Sequence, residues 1–530
     1  MEKLRLFFGT VQENKKEDRD RILRLLRDIG GSLGEGEDPL TCFVSEEDTP
    51  YEEALAESAL CLFFLSEPLG ERQKDELAAS LAAPCRTVVF CLAFEENAIF
   101  SALPTRESEL IKIVYEQSDS LGFDVMALLC EQEPAFLAPI DAPYRIAETE
   151  AGCKEAIARS AGEPVCALAY ATLGKLCQRA ERCAEAADAF SEAQKLYFAL
   201  KEGGTDAFER DRALVLQELS DACFRTRRYE ESEQQLVDAK AILADLAARN
   251  EDRYGLDYCK ACHRLAVFYR AMYDAATAEQ GLTELLALID AKAERARYTE
   301  LLLQAKLDLA LLLSEAERYE ESYALLLQAL EEAQRITAVA FLFPIYNALS
   351  RVCRARKEKI EAERYLKEAV KLGEAQEGDS GVDALLEAYD AINAFYREED
   401  RGFDAECMYI KMIEVYQRKA AADPDRYAGE LAARYGRLAE VQHYKDGARS
   451  LLSAIEILLP LMNKDPDTYT EPLASAMHRL GLLLQMAGRG DKAKKYLENA
   501  LKLFRVLDSK GLYSYQSEIT ELERALARIS

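Results

Sequence analysis

The chain has 530 residues, too many for one ordinary hydrophobic core, so roughly two to four domains or a repeat array are expected. Its 67 basic and 95 acidic residues give a net charge of −28, which makes duplex nucleic acid and anionic membranes poor partners. Fourteen cysteines are too dilute for a disulfide scaffold, and the longest apolar runs fall short of the ~18 residues that a membrane span needs. These features predict a reduced, cytoplasmic protein that binds neither duplex nucleic acid nor membranes.

Up to about residue 135, short apolar runs alternate with amphipathic ones. Such runs separated by helices are typical of a parallel sheet that is covered on both faces. Five strands are predicted, at residues 4–11, 40–45, 60–66, 86–94 and 123–130. Helices are predicted at residues 15–29, 51–58 and 71–82, and the first should end at Gly30 because glycine accepts the left-handed C-cap conformation.

Pro134, Pro139 and Pro143 interrupt both the helical and the strand pattern and mark a domain boundary. A bridging helix at residues 147–160 is predicted to follow. The predicted domains are an α/β domain at 1–133, a linker with the bridging helix at 134–164, eight long repeats at 165–505, and a capping helix at 506–530.

From Pro164 onward the pattern is helical, and eight segments align with one another. Each has a small or polar anchor residue preceded by a large one, a small residue twelve positions later, and a large residue sixteen positions later. This spacing predicts pairs of helices that touch at the small residues. The anchors are Gly174, Ser220, Ala266, Ala310, Ser350, Asn393, Gly436 and Gly481.

These segments resemble the tetratricopeptide repeat (TPR), in which two antiparallel helices meet through small residues. The anchors are 40–46 residues apart, longer than the usual spacing and similar to the long-helix repeats of kinesin light chains. The resemblance implies an all-α superhelix with a concave face that binds a protein or peptide. Residues 515–529 are predicted to cover the apolar face of the last repeat.

Residues 51–66 form a predicted short helix and a strand that ends at Ser66, followed by Asp75-Glu76-Leu77-Ala78-Ala79. This region resembles the middle of a Toll/interleukin-1 receptor (TIR) domain, and residues 4–11 with the charged segment 16–20 are similar to its first strand and helix. The predicted fold class is therefore a flavodoxin-like α/β domain of TIR type, with a parallel sheet, joined to an all-α TPR superhelix. The resemblance also implies self-association through the α/β domain.

In the enzymatic branch of the TIR family, the glutamate at the position of Glu76 contacts the nicotinamide ribose of NAD+ and supports glycosidic cleavage. A carboxylate suits that chemistry because it stabilises oxocarbenium character as nicotinamide leaves. The resemblance thus implies NAD+ as a substrate, with no other cofactor, and Glu76 as a catalytic residue. This sequence departs from the family pattern at two places. Arg72-Gln73-Lys74-Asp75 replaces the aromatic–cysteine pair that usually precedes the glutamate, and the first strand ends Phe8-Gly9-Thr10, where a serine is commoner. The alternative is that Glu76 is a solvated residue that favours the helix dipole.

In the TPR fold, four positions of each first helix line the concave face. In repeats three to five, these twelve positions carry four cations and no carboxylate, although 95 of the 530 residues are acidic. Such a face predicts binding of an acidic peptide or a carboxylate terminus through arginine; the alternative is a solvated face with charges of random sign. The candidate groove residues are Lys260, His263, Arg270, Asn347, Arg351 and Arg354.

Cys259-Lys260-Ala261-Cys262-His263 matches the c-type haem attachment motif Cys-x-x-Cys-His. Because Cys262 occupies the first large position of its repeat, we expect a buried structural cysteine there and a more tolerant Cys259. No second pair of ligands lies nearby, so no metal site is predicted.

The sequence predicts a cytoplasmic sensor or adaptor in which the TPR repeats bind a protein or peptide and control the TIR-like domain. In one version that domain is an NAD+ glycohydrolase of bacterial anti-phage defence. In the other it is a non-enzymatic assembly domain within an interaction scaffold.

Overall fold

A computed structural model describes residues 4–33, 40–46, 50–66, 68–83, 85–92, 99, 110–116, 120–132, 146–159, 164–202, 208–292, 295–376, 379–510 and 514–529. The chain forms two compact units, Met1–Tyr298 and Thr299–Ser530. Within the described residues, the first unit holds a β-sheet and its helices followed by three helix pairs. The second unit holds five further pairs and a terminal helix.

The sheet of the first unit has five parallel strands in the order β2-β1-β3-β4-β5. The chain moves from β1 outward to β2 and then returns to β3 on the other side of β1, so the topological switch point lies between β1 and β3. This is the flavodoxin-like strand order. The strands are β1 Leu4–Phe8, β2 Leu40–Val44, β3 Leu60–Phe64, β4 Arg86–Leu92 and β5 Leu110–Tyr115.

Helices cover both faces of this sheet, because alternate strand residues point to opposite faces and both sets are apolar. Phe8, Phe64 and Phe90 stack across β1, β3 and β4 on one face, with ring centroids 6.4 and 4.7 Å apart. Phe7 and Phe63 lie on the other face. The helices of this region are α1 Lys16–Leu33, α2 Glu52–Ala56, α3 Glu71–Ala82, α4 Leu121–Gln132 and α5 Glu150–Arg159.

Two sequence-based predictions in this domain are wrong. Residues 123–130 are not the fifth strand but lie in helix α4, and the strand is β5, Leu110–Tyr115. Helix α1 continues through Gly30 and Gly31 to Leu33, so the predicted glycine C-cap does not end it. The proline-rich stretch at 134–143 lies outside the described residues.

The sheet and the first repeats of the first unit share one hydrophobic core. A continuous cluster joins the sheet residue Phe64 and the α4 residue Phe123 to Leu168, Phe190 and Val215 of the repeat helices. The burial of these side chains packs the sheet domain against the first repeats.

From Pro164 to Ser509 the described helices form consecutive antiparallel pairs, each joining the helix that carries a predicted anchor to the next helix. In the first unit the pairs are α6 Pro164–Arg179 with α7 Cys183–Glu202, α8 Glu209–Arg225 with α9 Tyr229–Arg249, and α10 Glu251–Ala271 with α11 Ala275–Asp290. In the second unit they are α12 Thr299–Glu315 with α13 Tyr319–Arg335, α14 Val339–Ala355 with α15 Lys359–Glu374, α16 Asp379–Glu398 with α17 Gly402–Ala422, α18 Pro424–Val441 with α19 Tyr444–Lys464, and α20 Pro466–Met486 with α21 Gly490–Ser509.

The small residues meet where the paired helices cross, as the repeat pattern predicts. A Cβ added to Gly174 would lie 2.6 Å from the Phe190 ring, so no larger side chain fits there. In the second pair the hydroxyls of Ser220 and Ser232 are 2.8 Å apart. The turn between the two helices places the residue seven positions after the anchor at positive φ, and these residues are Glu181, Arg227, Tyr273, Glu317, Lys357, Asp400 and Gly488.

The pair α18–α19 departs from this register. Its predicted crossing residues Gly436 and Ala448 are only partly buried, and its turn residue His443 has φ −60°. Gly447 is buried instead, and a Cβ there would lie 3.0 Å from the carbonyl oxygen of Ala439. The crossing assigned from the sequence is therefore wrong for this pair, and Gly436 stays accessible.

Helix α22, Gln516–Ala527, packs on the last pair through Ile519, Leu522 and Ala525. It covers apolar side chains of α21, including Phe504.

Candidate functional sites

Glu76 lies in the second turn of α3 and its side chain is 0% exposed. Its Oε2 accepts a hydrogen bond from the Thr10 backbone N–H at 2.8 Å. Its Oε1 accepts from Thr10 Oγ1 at 2.7 Å, from Ser45 Oγ at 2.6 Å and from Arg72 Nε at 2.8 Å. The alternative that Glu76 is a solvated helix residue is therefore wrong.

The partners of Glu76 come from the carboxyl edge of the sheet. Thr10 follows β1 and Ser45 follows β2, while Arg72 is one helical turn before Glu76 on α3. Arg72 also donates to Ser45 Oγ at 3.1 Å and lies over the Tyr51 ring, 5.3 Å from its centroid. Ligands of open parallel sheets bind outside this edge at the switch point, which places Glu76 where a ligand is expected.

Further hydrogen-bonded polar side chains lie along the same edge of the sheet. Ser66, which follows β3 and is 0% exposed, donates to Gln12 and to Asn14 Oδ1, the latter at 3.0 Å. Gln73 donates to the Thr10 carbonyl at 2.9 Å and accepts from the Gly70 N–H at 3.0 Å. Thr10, Ser45, Ser66, Arg72, Gln73 and Glu76, here called the edge cluster, thus form one polar layer along this edge.

The predicted groove residues of the first unit lie on α10. Lys260 is exposed, and His263 and Arg270 are partly exposed, so this face of the helix is not its packing face.

The predicted groove residues of the second unit lie on α14. Arg351 is exposed and has no ion-pair partner among the described residues, whereas Arg354 pairs with Glu398 of α16. The predicted lack of carboxylates around these cations is therefore wrong for Arg354. Asn347 is partly exposed, and its Oδ1 is buried without a hydrogen-bond partner in the described part of the chain.

A denser set of cations lies on later first helices of the same unit. Arg397 of α16, Arg437 of α18 and Arg479 of α20 all reach one carboxylate, that of Glu440. The distances from Glu440 are 3.2 Å to Arg397 Nη2, 3.4 Å to Arg437 Nη1 and 3.2 Å to Arg479 Nη1. These four residues, here called the arginine cluster, carry two net positive charges in a chain of net charge −28.

Arg437, Glu440 and Arg479 of the arginine cluster line a cavity of about 500 Å³ formed by α18, α19 and α20. Small side chains leave this space, since Gly429, Ala433, Gly436 and Ala476 line it. The irregular crossing of α18 with α19 explains why Gly436 is accessible here. Arg397 and Arg437 continue the predicted groove positions in sequence, but Glu440 and other acids on the same helices give those positions a mixed charge, so the sequence did not predict the cluster.

In the Cys-x-x-Cys-His segment of α10, the burial of the two cysteines differs from the prediction. Cys259 is 0% exposed, and burial raises the pKa of its thiol to about 12. Cys262 is partly exposed and lines a cavity of about 420 Å³ with Tyr258 and Lys240. Cys259, not Cys262, is therefore the buried structural cysteine.

Metal ligands and membrane spans are both absent from the part of the chain that the structure describes. No group of three His, Cys, Asp or Glu side chains there is arranged to hold a metal ion. None of the described helices has both the length and the apolar content of a membrane span.

No family model matches the sequence, and no curated protein matches it. The chain is similar to solved helical repeat proteins. The apo quorum sensor NprR of B. thuringiensis is 13% identical, with a TM-score of 0.37 over 72% of this chain and 97% of that one. A tetratricopeptide repeat protein of Parabacteroides merdae is 12% identical, with a TM-score of 0.35 over 56% and 93%. BtubC (BKLC) of P. vanneervenii is 15% identical, with a TM-score of 0.34 over 53% and 92%.

Proposed function

We propose that the repeats bind an acidic segment of a protein or peptide and that the arginine cluster is the main contact. The observation that carries this proposal is the convergence of Arg397, Arg437 and Arg479 on the single carboxylate of Glu440. Guanidinium groups bind carboxylates through paired, charge-assisted hydrogen bonds. One acid among three arginines leaves donors for a ligand carboxylate.

The solvent exposure of the three arginines and the size of the adjoining cavity support this proposal. The side chains of Arg397, Arg437 and Arg479 are 41%, 52% and 37% exposed, so a ligand reaches them without unfolding the helices. The adjoining cavity of about 500 Å³ has the size of a typical ligand pocket. Arg351 and Arg354 of α14, with Asn347, belong to the same unit and extend the proposed surface, whereas Lys260, His263 and Arg270 are proposed contacts in the first unit.

The test is retention of fluorescent peptide pools by the full chain. An Asp/Glu-rich pool should bind more tightly than a Lys/Arg-rich pool, and binding should weaken as salt rises. Arg479→Gln should weaken acidic binding at least tenfold, whereas Glu440→Gln should strengthen it by removing the competing carboxylate. Arg449→Gln is the matched control, because it makes the same charge change on α19, where Arg449 is 82% exposed. Equal binding of both pools, or equal loss with Arg449→Gln, would contradict the proposal.

A second proposed function concerns the edge cluster. We propose that the TIR-like domain is the effector of the repeats and that Glu76 is its NAD+-cleaving residue. What favours this is the position of Glu76 at the carboxyl edge of β1 and β2, beside the switch point. Since its oxygens accept bonds from Arg72, Thr10 and Ser45, catalysis requires that ligand binding to the repeats release Arg72 from Glu76.

Nicotinamide release from NAD+ tests the enzymatic version. The full chain should release nicotinamide with the acidic pool present and little without it. Glu76→Gln should abolish the release, and Asp75→Asn, at an exposed neighbour, should not. No release under either condition, together with concentration-dependent self-association, would favour the non-enzymatic scaffold.

A further inference from the structure

We propose that Cys61 and Cys85 form a two-thiol redox site in which a hydroperoxide converts the pair to a disulfide. Both are free cysteines whose sulfur atoms lie 2.9 Å apart. That distance exceeds the bonded S–S distance of about 2.05 Å by less than an ångström.

The sheet brings the two thiols together. Cys61 is the second residue of β3 and Cys85 immediately precedes β4, with Leu60 paired to Arg86 in the parallel register. The two are 24 positions apart in sequence, and α3 lies in the loop between them. Because Cys85 precedes the paired residues of β4, it has more freedom to move toward Cys61 than a residue within the ladder.

The two thiols have different roles. Cys61 is 0% exposed and donates its S–H to Cys85 Sγ, whereas Cys85 is partly exposed. That hydrogen bond lowers the pKa of the Cys85 thiol to about 7, and it raises the pKa of Cys61. Cys85 is therefore the attacking thiolate, since the thiolate is the nucleophile and must be accessible. As a neutral thiol, Cys85 donates to the Ser80 carbonyl at 3.4 Å.

The reaction balances in two steps. The Cys85 thiolate attacks one oxygen of hydrogen peroxide and, with one proton, gives a sulfenic acid and water. The Cys61 sulfur then attacks the sulfenic sulfur, its proton leaves with the hydroxyl as a second water, and the S–S bond forms. Two thiols are oxidised by two electrons, and the peroxide is reduced by two. A dithiol reductant reverses the reaction by exchange.

Peptide mapping of the full chain tests this site. After stoichiometric hydrogen peroxide, a non-reducing digest should contain the Cys61–Cys85 cross-linked peptide, and dithiothreitol should remove it. Cys407, partly exposed in α17, is the internal control and should remain a thiol under the same conditions. The oxidised chain should also melt at a higher temperature, because the cross-link constrains the unfolded loop.

Variants separate the two roles. Cys61→Ser should leave Cys85 as a sulfenic acid that dimedone traps, whereas Cys85→Ser should leave Cys61 unmodified. Cys91→Ser, at a buried cysteine of β4, should leave the cross-link unchanged. The proposal is overturned if wild-type Cys61 and Cys85 stay reduced while Cys407 is oxidised, or if either forms its cross-link with another cysteine. The wild-type map decides this even if a variant does not fold.

Discussion

Glu76 shows that burial decides how strongly the substitution of one residue changes the stability of the fold. Its carboxylate accepts four hydrogen bonds and has no solvent exposure, so it ties α3 to the ends of β1 and β2. If Glu76 were a solvated helix residue, Glu76→Ala would leave the melting temperature unchanged. Burial reverses that expectation, because truncation leaves donors of Arg72, Thr10 and Ser45 without their partner.

Glu76→Ala is expected to lower the free energy of unfolding by about 1–3 kcal/mol, because it leaves the donors of Thr10 and the buried Ser45 without an acceptor, while Arg72 is 26% exposed and regains water. Urea unfolding followed by circular dichroism measures the change. Asp75→Ala should fall within about 0.5 kcal/mol of wild type, because Asp75 is exposed. Similar stabilities for the two variants would show that the edge cluster tolerates loss of its carboxylate.

The cysteines of α10 give a second test at the residue scale. Cys259→Ser should lower stability by about 1–3 kcal/mol, because a hydroxyl replaces a thiol at a fully buried position. Cys262→Ser should cost less, since Cys262 is partly exposed and Tyr258 is beside it in the same cavity. Thermal melts of the two variants under reducing conditions compare them, and the reverse order would contradict the assignment of Cys259 to the core.

At the scale of elements, repetition made the helix pairs predictable. The anchor residues recur eight times, and that recurrence is sufficient to locate each pair from the sequence. The segment 123–130 occurs once and is almost entirely apolar, so its periodicity does not distinguish a buried strand from a buried helix. Strand β5 was missed because Lys112 breaks its apolar run.

In both candidate sites, the sequence predicts some residues and not the neighbours that they contact. Glu76 was found from a local motif, but its partners Thr10 and Ser45 are 66 and 31 residues distant and meet it only through strand order. Arg479 joins Arg437 through a helix packing that no local pattern encodes. Sequence reasoning therefore named single residues of each site, and the fold supplied their neighbours.

The turns between paired helices provide a test of backbone conformation. Gly488 has φ +70°, and a Cβ added there would meet nothing within 4 Å. Gly488→Ala should therefore cost about 1 kcal/mol through the left-handed conformation alone. Gly490→Ala is the control, since Gly490 has ordinary φ and begins α21, where alanine is favoured. Urea unfolding should show a loss for the first variant and no loss for the second.

Glu363 of α15 accepts hydrogen bonds from Tyr396 of α16 and from Arg401, which immediately precedes α17, and its ionisation makes a pH-dependent contribution to stability. Hydrogen bonds from Arg401, at 2.6 and 3.2 Å, lower the pKa of Glu363 to about 2, and Lys367 and Tyr396 add to the effect. A carboxyl whose folded-state pKa lies below its ordinary 4.5 stabilises the fold above pH 4.5. That stabilisation is lost as the pH falls from 4.5 toward 2.

Glu363→Gln should therefore be less stable than wild type at pH 7, and the difference should shrink as the pH falls below 4.5. Denaturant unfolding between pH 7 and pH 3.5 measures this. Glu361→Gln is the control on the same helix, because the Glu361–Arg364 pair is solvent-exposed and contributes only about 0–1 kcal/mol. A difference that stays constant with pH would rule out the ion pair as its cause.

At the scale of the whole molecule, the net negative charge affects the stability of the fold. Ninety-five acidic against 67 basic residues leave a net charge of −28, and folding brings those charges closer together. A large net charge destabilises the compact state through self-repulsion. The many local ion pairs oppose this, but exposed pairs contribute only about 0–1 kcal/mol each.

The salt dependence of the melting temperature distinguishes the repulsion due to net charge from the attraction within local ion pairs. Raising sodium chloride from about 0.01 to 0.15 M shortens the Debye length from about 30 to 8 Å, which screens long-range repulsion more strongly than contacts at 3 Å. The melting temperature of the full chain at pH 8 should therefore rise over this range. At pH 5, close to the sequence pI of about 4.8, net repulsion is nearly absent, so the same salt should leave the melting temperature unchanged or lower it slightly. A fall with salt at pH 8 would mean that local ion pairs outweigh the net charge, since screening would then remove more attraction than repulsion.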